Sequence, residues 1–172
     1  MRSPMRVFRN LDELAAAEGQ ELGRSTVRTV DQSVITAFAD VTGDRQWIHV
    51  DSERAETGPF GRTVAHGYYL LAVLSGMLAE IYSVDGAGLV INTGVDALRF
   101  HRPVPVGSRI SATARLAKVR PRRRGVAEVT IEAGVFVEGR NEPTCTALVH
   151  SMIRPSMSRP GSPSPAAATG TV

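Results

Sequence analysis

The spacing of apolar residues divides the chain into a helix-rich first half and a strand-rich second half. Apolar side chains recur at helical spacing in residues 10–18, 32–41 and 66–83. The last of these segments is apolar nearly all round, which predicts a buried helix. Residues 21–30 alternate between polar and apolar positions and therefore predict a strand.

The second half carries four segments rich in Val, Ile, Thr and Ala, each of strand length. They cover residues 89–100, 108–119, 126–138 and 144–154. Proline, glycine and asparagine between these segments are typical of turns. Helices first and consecutive strands afterwards predict an α+β fold. We expect one domain over residues 1–154, in which a long central helix is wrapped by a curved antiparallel sheet.

The composition agrees with one domain and adds a tail. The chain has 172 residues, of which 42% are hydrophobic, enough for one core. Residues 155–172 are dominated by Pro, Ser, Ala and Gly, which predicts a disordered tail. Cys145 is the single cysteine, so an intrachain disulfide is excluded, and we interpret it as a buried strand residue. Without a leader sequence or a membrane-spanning stretch, the chain is expected in the cytoplasm.

The positive charge is concentrated in one short run. The net charge is +3, but Lys118 and the arginines of residues 120–124 supply five positive charges, so the remainder is slightly negative. That distribution argues against a nucleic-acid partner. The run is interpreted first as a solvated hairpin turn. The alternative is that Arg122, Arg123 and Arg124 contact phosphate groups of a ligand.

One loop and the segment after it carry the candidate chemistry. Residues 38–51 read Phe-Ala-Asp-Val-Thr-Gly-Asp-Arg-Gln-Trp-Ile-His-Val-Asp. A carboxylate and an imidazole that share one water, here Asp44 and His49, can take up and return its proton. Taken alone, Asp44 would be a turn residue and His49 a structural histidine. The interpretation as a catalytic pair depends on both residues and on the glycine motif at residues 65–67.

The ordered set resembles the MaoC-like hydratases, the (R)-specific enoyl-CoA hydratase family, whose fold is the hot-dog fold. The residues that match the family pattern are Gly43, Asp44, Ile48, His49 and Asp51, followed by Ala65-His66-Gly67 at the start of the central helix. Gln46-Trp47 stands where the family has Asn-Pro. This departure bears on substrate shape more than on chemistry.

The resemblance implies reversible addition of water to a trans-2-enoyl-CoA, giving an (R)-3-hydroxyacyl-CoA. Asp44 and His49 would form the dyad that activates the water, and the backbone N–H of Gly67 would bind the thioester carbonyl. Ser75 either helps to position Asp44 or is a small packing residue, and Asn92 has the same two interpretations. Coenzyme A would be part of the substrate and would supply the phosphate groups for the arginines at residues 122–124. No separate cofactor is implied.

The remaining polar residues receive structural interpretations. Asp51 is expected to cap a helix over residues 52–57 and to orient the loop. His66 is expected to pack or hydrogen-bond at the start of the central helix and not to act as a base. His101 and His150 lie in strands without acidic or cysteine partners, so no metal site is predicted.

Two other functions fit the same fold. A thioesterase would need a carboxylate aimed at the thioester carbonyl from the central helix, and Glu80 lies too far along that helix. A non-catalytic acyl-CoA-binding subunit would be expected to lack the aspartate or the histidine, and this chain has both. An exposed sheet edge and an exposed helix face would invite pairing, so we expect a homodimer.

Overall fold

The computed structural model describes residues 3–156 and contains the predicted mixture of helices and strands. In chain order the elements are β1 (Arg6–Phe8), α1 (Leu11–Ala16), β2 (Glu21–Arg24), β3 (Arg28–Thr29), α2 (Gln32–Thr42), α3 (Trp47–Val50), α4 (Ser52–Glu56), α5 (Gly67–Ile81), β4 (Tyr82–Val84), β5 (Ala87–Phe100), β6 (Arg109–Pro121), β7 (Ala127–Val137) and β8 (Cys145–Pro155).

The main sheet is antiparallel, with the strand order β2-β6-β7-β8-β5 and with β3 also paired to β6. The long strands β5 to β8 match the four predicted segments to within two residues at each end. β5 forms one edge of the sheet, and twelve of its 14 residues are exposed. The other two, Ala87 and Leu98, pack against the core. The chain is therefore an α+β hot-dog domain with one long unpaired edge.

Helix α5 packs against one face of this sheet and forms the centre of the core. Its buried side chains are Tyr69, Leu70, Leu74, Met77, Leu78 and Ile81. The helix is buried on one side and, as expected, exposed on the other. The side chains of Tyr68, Ala72, Ser75 and Ala79 are exposed, because the sheet covers only one side of the helix.

Strand β8 shows which face of the sheet meets the helix. Its residues alternate between buried and half-buried positions, and the buried set is Cys145, Ala147, Val149, Ser151 and Ile153. Side chains at alternate positions of a strand point to opposite faces. Met152 and Arg154 therefore face away from α5.

Several short elements were not anticipated from the sequence. The strand expected over residues 21–30 is divided into β2 and β3, and between them the buried Ser25 hydroxyl accepts a hydrogen bond from the Ala112 N–H. Helix α5 ends at Ile81 because residues 82–84 pair in parallel with β1. The expected loop before Asp51 contains a single helical turn, α3. Most of the predicted tail lies outside the described residues.

Two further expectations concern the core and the membrane. Cys145 is fully buried in β8, as predicted, and burial raises the pKa of its thiol to about 11. Among the helices of residues 3–156, the longest has 15 residues, and none could span a bilayer.

Candidate active site

Helix α2 delivers Asp44 to the site. Gly43 ends the helix in the left-handed conformation (φ 78°), and its N–H donates to the Ala39 carbonyl at 2.8 Å. A glycine suits this position because it has no Cβ to clash. Asp44 follows directly, and an ion pair between Asp40 and Arg45 ties the loop back to α2.

His49 lies on α3 and is buried, with 6% of its surface exposed. Its Nδ1 lies 2.7 Å from the Val64 carbonyl oxygen. Because a carbonyl oxygen only accepts, Nδ1 carries the proton and donates, which leaves Nε2 as a lone-pair acceptor in the neutral ring. The Val64 N–H donates in turn to the Ile48 carbonyl at 2.9 Å, so α3 and the segment before α5 are joined beside the ring.

The residues around the dyad loop explain how this chain accommodates Trp47. Trp47 is the first residue of α3, a position at which proline is also favoured. Its ring lies against Gly58 and under the Arg54 guanidinium, 4.4 Å from the ring centroid. Asp51 caps α4 as predicted, since its side chain accepts from the Arg54 N–H at 3.0 Å.

His66 is the residue that sequence reasoning placed too far from the chemistry. It precedes α5, is 2% exposed, and its Nε2 donates to the Asp44 carbonyl oxygen at 2.9 Å. The expected hydrogen bond at the helix start is therefore confirmed. In addition, its ring stacks on that of His49, with centroids 3.7 Å apart and an interplanar angle of 24°. Its position directly before Gly67 was the one signal in the sequence.

Asp44, His49 and His66 form one cluster. One carboxylate oxygen of Asp44 and one ring nitrogen from each histidine lie within 4.8 Å of one another. The Asp44 side chain is 53% exposed, and its contact is a long one of 3.4 Å from the Gln46 N–H. One carboxylate oxygen is thus open to a water beside the imidazoles.

The electrostatics of the cluster favour a base. Burial, with a smaller contribution from the neighbouring His66, holds the pKa of His49 below 6.5, although Val64 and Asp44 act in the opposite direction. As metal ligands the three residues fit less well. His49 Nδ1 and His66 Nε2 both donate to carbonyl groups, so His66 could ligate through Nε2 only by giving up its bond to Asp44.

Gly67 opens α5 beside this cluster. As the first residue of the helix it has no intrahelical acceptor for its N–H, and no other acceptor occurs within residues 3–156. The ring of Phe100 lies so close that a Cβ at Gly67 would come within 2.8 Å of it. The Phe100 ring thus fills the space that a side chain at residue 67 would need.

Ser75 and Asn92 lie further along α5 and β5. The Asn92 amide donates to the Ser75 hydroxyl at 3.3 Å, and the hydrogen bonds of residues 3–156 include none between Ser75 and Asp44. Both residues line a cavity of about 390 Å³ between the second half of α5 and the inner face of the sheet. Its other walls are mainly apolar and include Leu78, Val90, Val149 and Ile153.

The arginine run lies away from the cluster. Arg122 is ion-paired with Glu128 at 2.7 Å. Arg123 and Arg124 line a separate cavity together with Met152 and Arg154, which face away from α5. Their place near the start of β5 is the opposite end of that strand from Phe100. Their role in phosphate binding stays a prediction.

Glu80, the carboxylate considered for a thioesterase, is held by other groups. Its oxygens accept hydrogen bonds from the Thr26 N–H and hydroxyl and form an ion pair with Arg28. Although burial acts to raise it, these contacts hold the pKa of Glu80 at about 2. The Arg28 guanidinium lies over Gly76, at ordinary van der Waals distance from where a Cβ would stand.

Known proteins match this chain over most of its length. The family model described as MaoC like domain matches residues 13–137. The 3-hydroxyacyl-thioester dehydratase Z of Mycobacterium tuberculosis is 47% identical over 143 residues, 83% of this chain and 95% of that protein. Nodulation protein N of Rhizobium leguminosarum is 39% identical over 80% of this chain and 87% of its own length. A solved structure described as a monoamine oxidase regulatory protein from Archaeoglobus superposes with a TM-score of 0.72, at 26% identity, over 90% of this chain and all of that one.

Proposed function

Because the chain belongs to the MaoC-like dehydratase family and is a hydro-lyase of the hot-dog fold, we propose that it is an (R)-specific enoyl-CoA hydratase. The reaction is the reversible addition of water to a trans-2-enoyl-CoA to give an (R)-3-hydroxyacyl-CoA. The observation that carries the proposal is the neutral tautomer of His49, whose Nδ1–H is fixed on Val64 next to the open carboxylate of Asp44.

The proposed proton path uses both members of the dyad. A water held between Asp44 and the Nε2 of His49 loses a proton as its oxygen bonds to C3 of the substrate. The same proton returns to C2, so the dyad ends the cycle in its starting state. A lowered pKa keeps His49 unprotonated and able to accept near neutral pH. No cofactor beyond the thioester substrate takes part.

The enolate oxygen formed on the way requires a donor fixed in advance. The free N–H of Gly67 is such a donor, and the positive end of the α5 dipole favours negative charge at this point. The acyl chain is proposed to extend toward the cavity at Ser75. Ser75 follows Gly67 by eight positions of the helix, about 12 Å along the axis.

The protein is further proposed to act as a homodimer in the cytoplasm. The exposed apolar residues of β5 include Leu89, Val90, Ile91 and Val95, which is an unusually apolar row for an unpaired edge. A second copy of the chain, paired through the same edge, would cover this row and the exposed stripe of α5. A single buried cysteine is compatible with a reducing compartment.

The deciding experiment follows crotonyl-CoA with the full-length protein. The absorbance of the enoyl thioester should fall, and the product should be oxidised by an (R)-specific and not by an (S)-specific 3-hydroxyacyl-CoA dehydrogenase. Asp44→Asn and His49→Gln should each lower kcat by about two orders of magnitude or more. No loss of enoyl absorbance at any acyl length tested would refute the proposal.

The same samples distinguish the two alternatives. Release of free coenzyme A thiol without loss of the enoyl group would indicate a thioesterase. Saturable binding of crotonyl-CoA with neither reaction would indicate a non-catalytic binding subunit. His150→Gln is a suitable control, since His150 bonds to Asp96 and Thr130 on the sheet and not to the cluster.

A further inference from the structure

We propose that His66 is a positioning residue for the dyad: it orients Asp44 through a hydrogen bond to the Asp44 carbonyl and holds His49 through the stacked ring. The inference rests on the proposed function of Asp44 and His49. It assigns to His66 a role in the reaction that the sequence interpretation had withheld.

The hydrogen bond to the Asp44 carbonyl is one part of the argument. His66 Nε2 donates at 2.9 Å to the peptide oxygen of the residue whose side chain is to hold the water. Asp44 lies in an exposed loop after α2, and the loop's own contacts to that residue are long, at 3.4 Å. The bond from a buried ring at the base of α5 therefore fixes the Asp44 peptide relative to the Gly67 N–H.

The second contact of His66 is the stack of its ring on that of His49. The imidazole of His66 covers one face of the His49 imidazole, with 3.7 Å between the ring centroids. Phe38 of α2 lies against His66 in turn, at 5.1 Å. His49 is thus held by Val64 at one edge and by His66 on one face, which leaves little freedom for rotation of the ring.

One ring nitrogen of His66 has no hydrogen-bond partner in the described part of the chain, which is an energetic cost of this placement. Its Nδ1 is buried and is the one buried side-chain polar atom without a hydrogen-bond partner within residues 3–156. Buried polar atoms are nearly always paired, and an exception calls for an explanation. The explanation here is that the bond to Asp44 and the stack on His49 together fix the ring in an orientation that leaves Nδ1 alone.

The groups that titrate or carry charge next to His49 are Asp44 from the loop after α2 and His66 from the start of α5. From α2, the Gln32 amide donates to the His49 carbonyl. Removing the His66 imidazole takes away its coulombic effect, which lowers the pKa of His49, and admits water to the His49 face. Both effects raise the pKa of His49, so its base form is lost at a higher pH.

Two variants separate the two contacts. His66→Phe keeps an aromatic face against His49 and loses the donor, whereas His66→Asn keeps a donor and loses the stacked ring. We expect kcat to fall about ten-fold in each, the scale of a small misplacement of a reacting group. The acidic limb of the kcat/KM profile should move to higher pH in both variants, and further in His66→Asn, which also uncovers the ring face of His49.

Wild-type protein supplies a readout that depends on neither folding of a variant nor activity. In ¹⁵N-histidine spectra His66 should be the Nε2–H tautomer and His49 the Nδ1–H tautomer. An Nδ1–H tautomer at His66 would overturn the inference, as would folded variants with unchanged kcat and an unmoved acidic limb. If the wild type were inactive on every thioester, the proposed function would fail, while the tautomers and the His49 titration in the variants would still decide the positioning role.

Discussion

The ring of Phe100 lies directly against the Cα of Gly67. A Cβ built at Gly67 would come within 2.8 to 2.9 Å of three ring atoms of Phe100. The last residue of β5 therefore packs against the first residue of α5, beside the dyad. Two requirements would each explain why residue 67 is a glycine. One is room for the Phe100 ring, and the other is close approach of the Gly67 N–H to a substrate oxygen.

Substitution at Gly67 separates those reasons. Gly67→Ala should destabilise the fold by about 1–3 kcal/mol, because the methyl group and the Phe100 ring cannot share the space. Combining it with Phe100→Ala should recover much of that loss, as measured by thermal unfolding. kcat should remain low in the double variant compared with Phe100→Ala alone. Full activity in the double variant would mean that the glycine serves packing only.

The rate should depend on the protonation of His49. Since its pKa is held below 6.5, the base form persists to lower pH than for a solvated histidine, and the acidic limb of kcat/KM should lie below pH 6.5. The same shift makes the unfolded chain bind a proton first, so the stability contributed by neutral His49 is lost as pH falls below 6.5. A limb at or above 6.5 would assign the base to another group.

Glu80 is expected to stabilise the fold without taking part in the reaction. Glu80→Gln should lower the free energy of unfolding by about 1–3 kcal/mol, because Arg28 and Thr26 lose a charged acceptor. With its pKa near 2 in the folded state, the contribution of Glu80 is complete above pH 4.5 and is lost as pH falls toward 2. A large loss of kcat with unchanged stability would contradict this assignment and would again favour the thioesterase hypothesis.

Arg123 and Arg124 allow a direct test of the phosphate prediction. Arg123 and Arg124 share a cavity with Ile91, and an extended strand from Ile91 to Phe100 beside the dyad is about 30 Å long. If substrate binding uses one subunit, replacing both arginines with alanine should therefore change KM for crotonyl-CoA by less than about two-fold. Crotonyl-pantetheine, which lacks the nucleotide, is the matched control. A rise in KM for the CoA substrate alone would show that these arginines do meet its phosphates.

The edge strand predicts the oligomeric state. Val95 is 38% exposed in the middle of β5 and does not line the cavity at Ser75. In sedimentation equilibrium, Val95→Lys should form fewer dimers than the wild type, because the substitution would bury a charge at the pairing edge. A wild-type protein that is monomeric at micromolar concentration would remove the homodimer from the proposal.

The long elements could be predicted from the sequence because one side of each faces the core. The strands over residues 89–100 and 144–154 and the helix before Ser83 were located to within two residues at either end. The pairing of β1 with β4 was missed, since three-residue strands carry no readable period. The histidine stack was missed for another reason: only the fold brings residues 49 and 66 together.

Because Cys145 is buried, the reactivity of its thiol reports on separation of the strands around it. The residue sits in β8 between Val135 of β7 and Phe100 of β5, with no exposed surface. With a pKa of about 11 it carries almost no thiolate at neutral pH, and the thiolate is the reactive form. Native protein should therefore be silent to a disulfide reagent, and its labelling rate under native conditions would time the separation of the central strands.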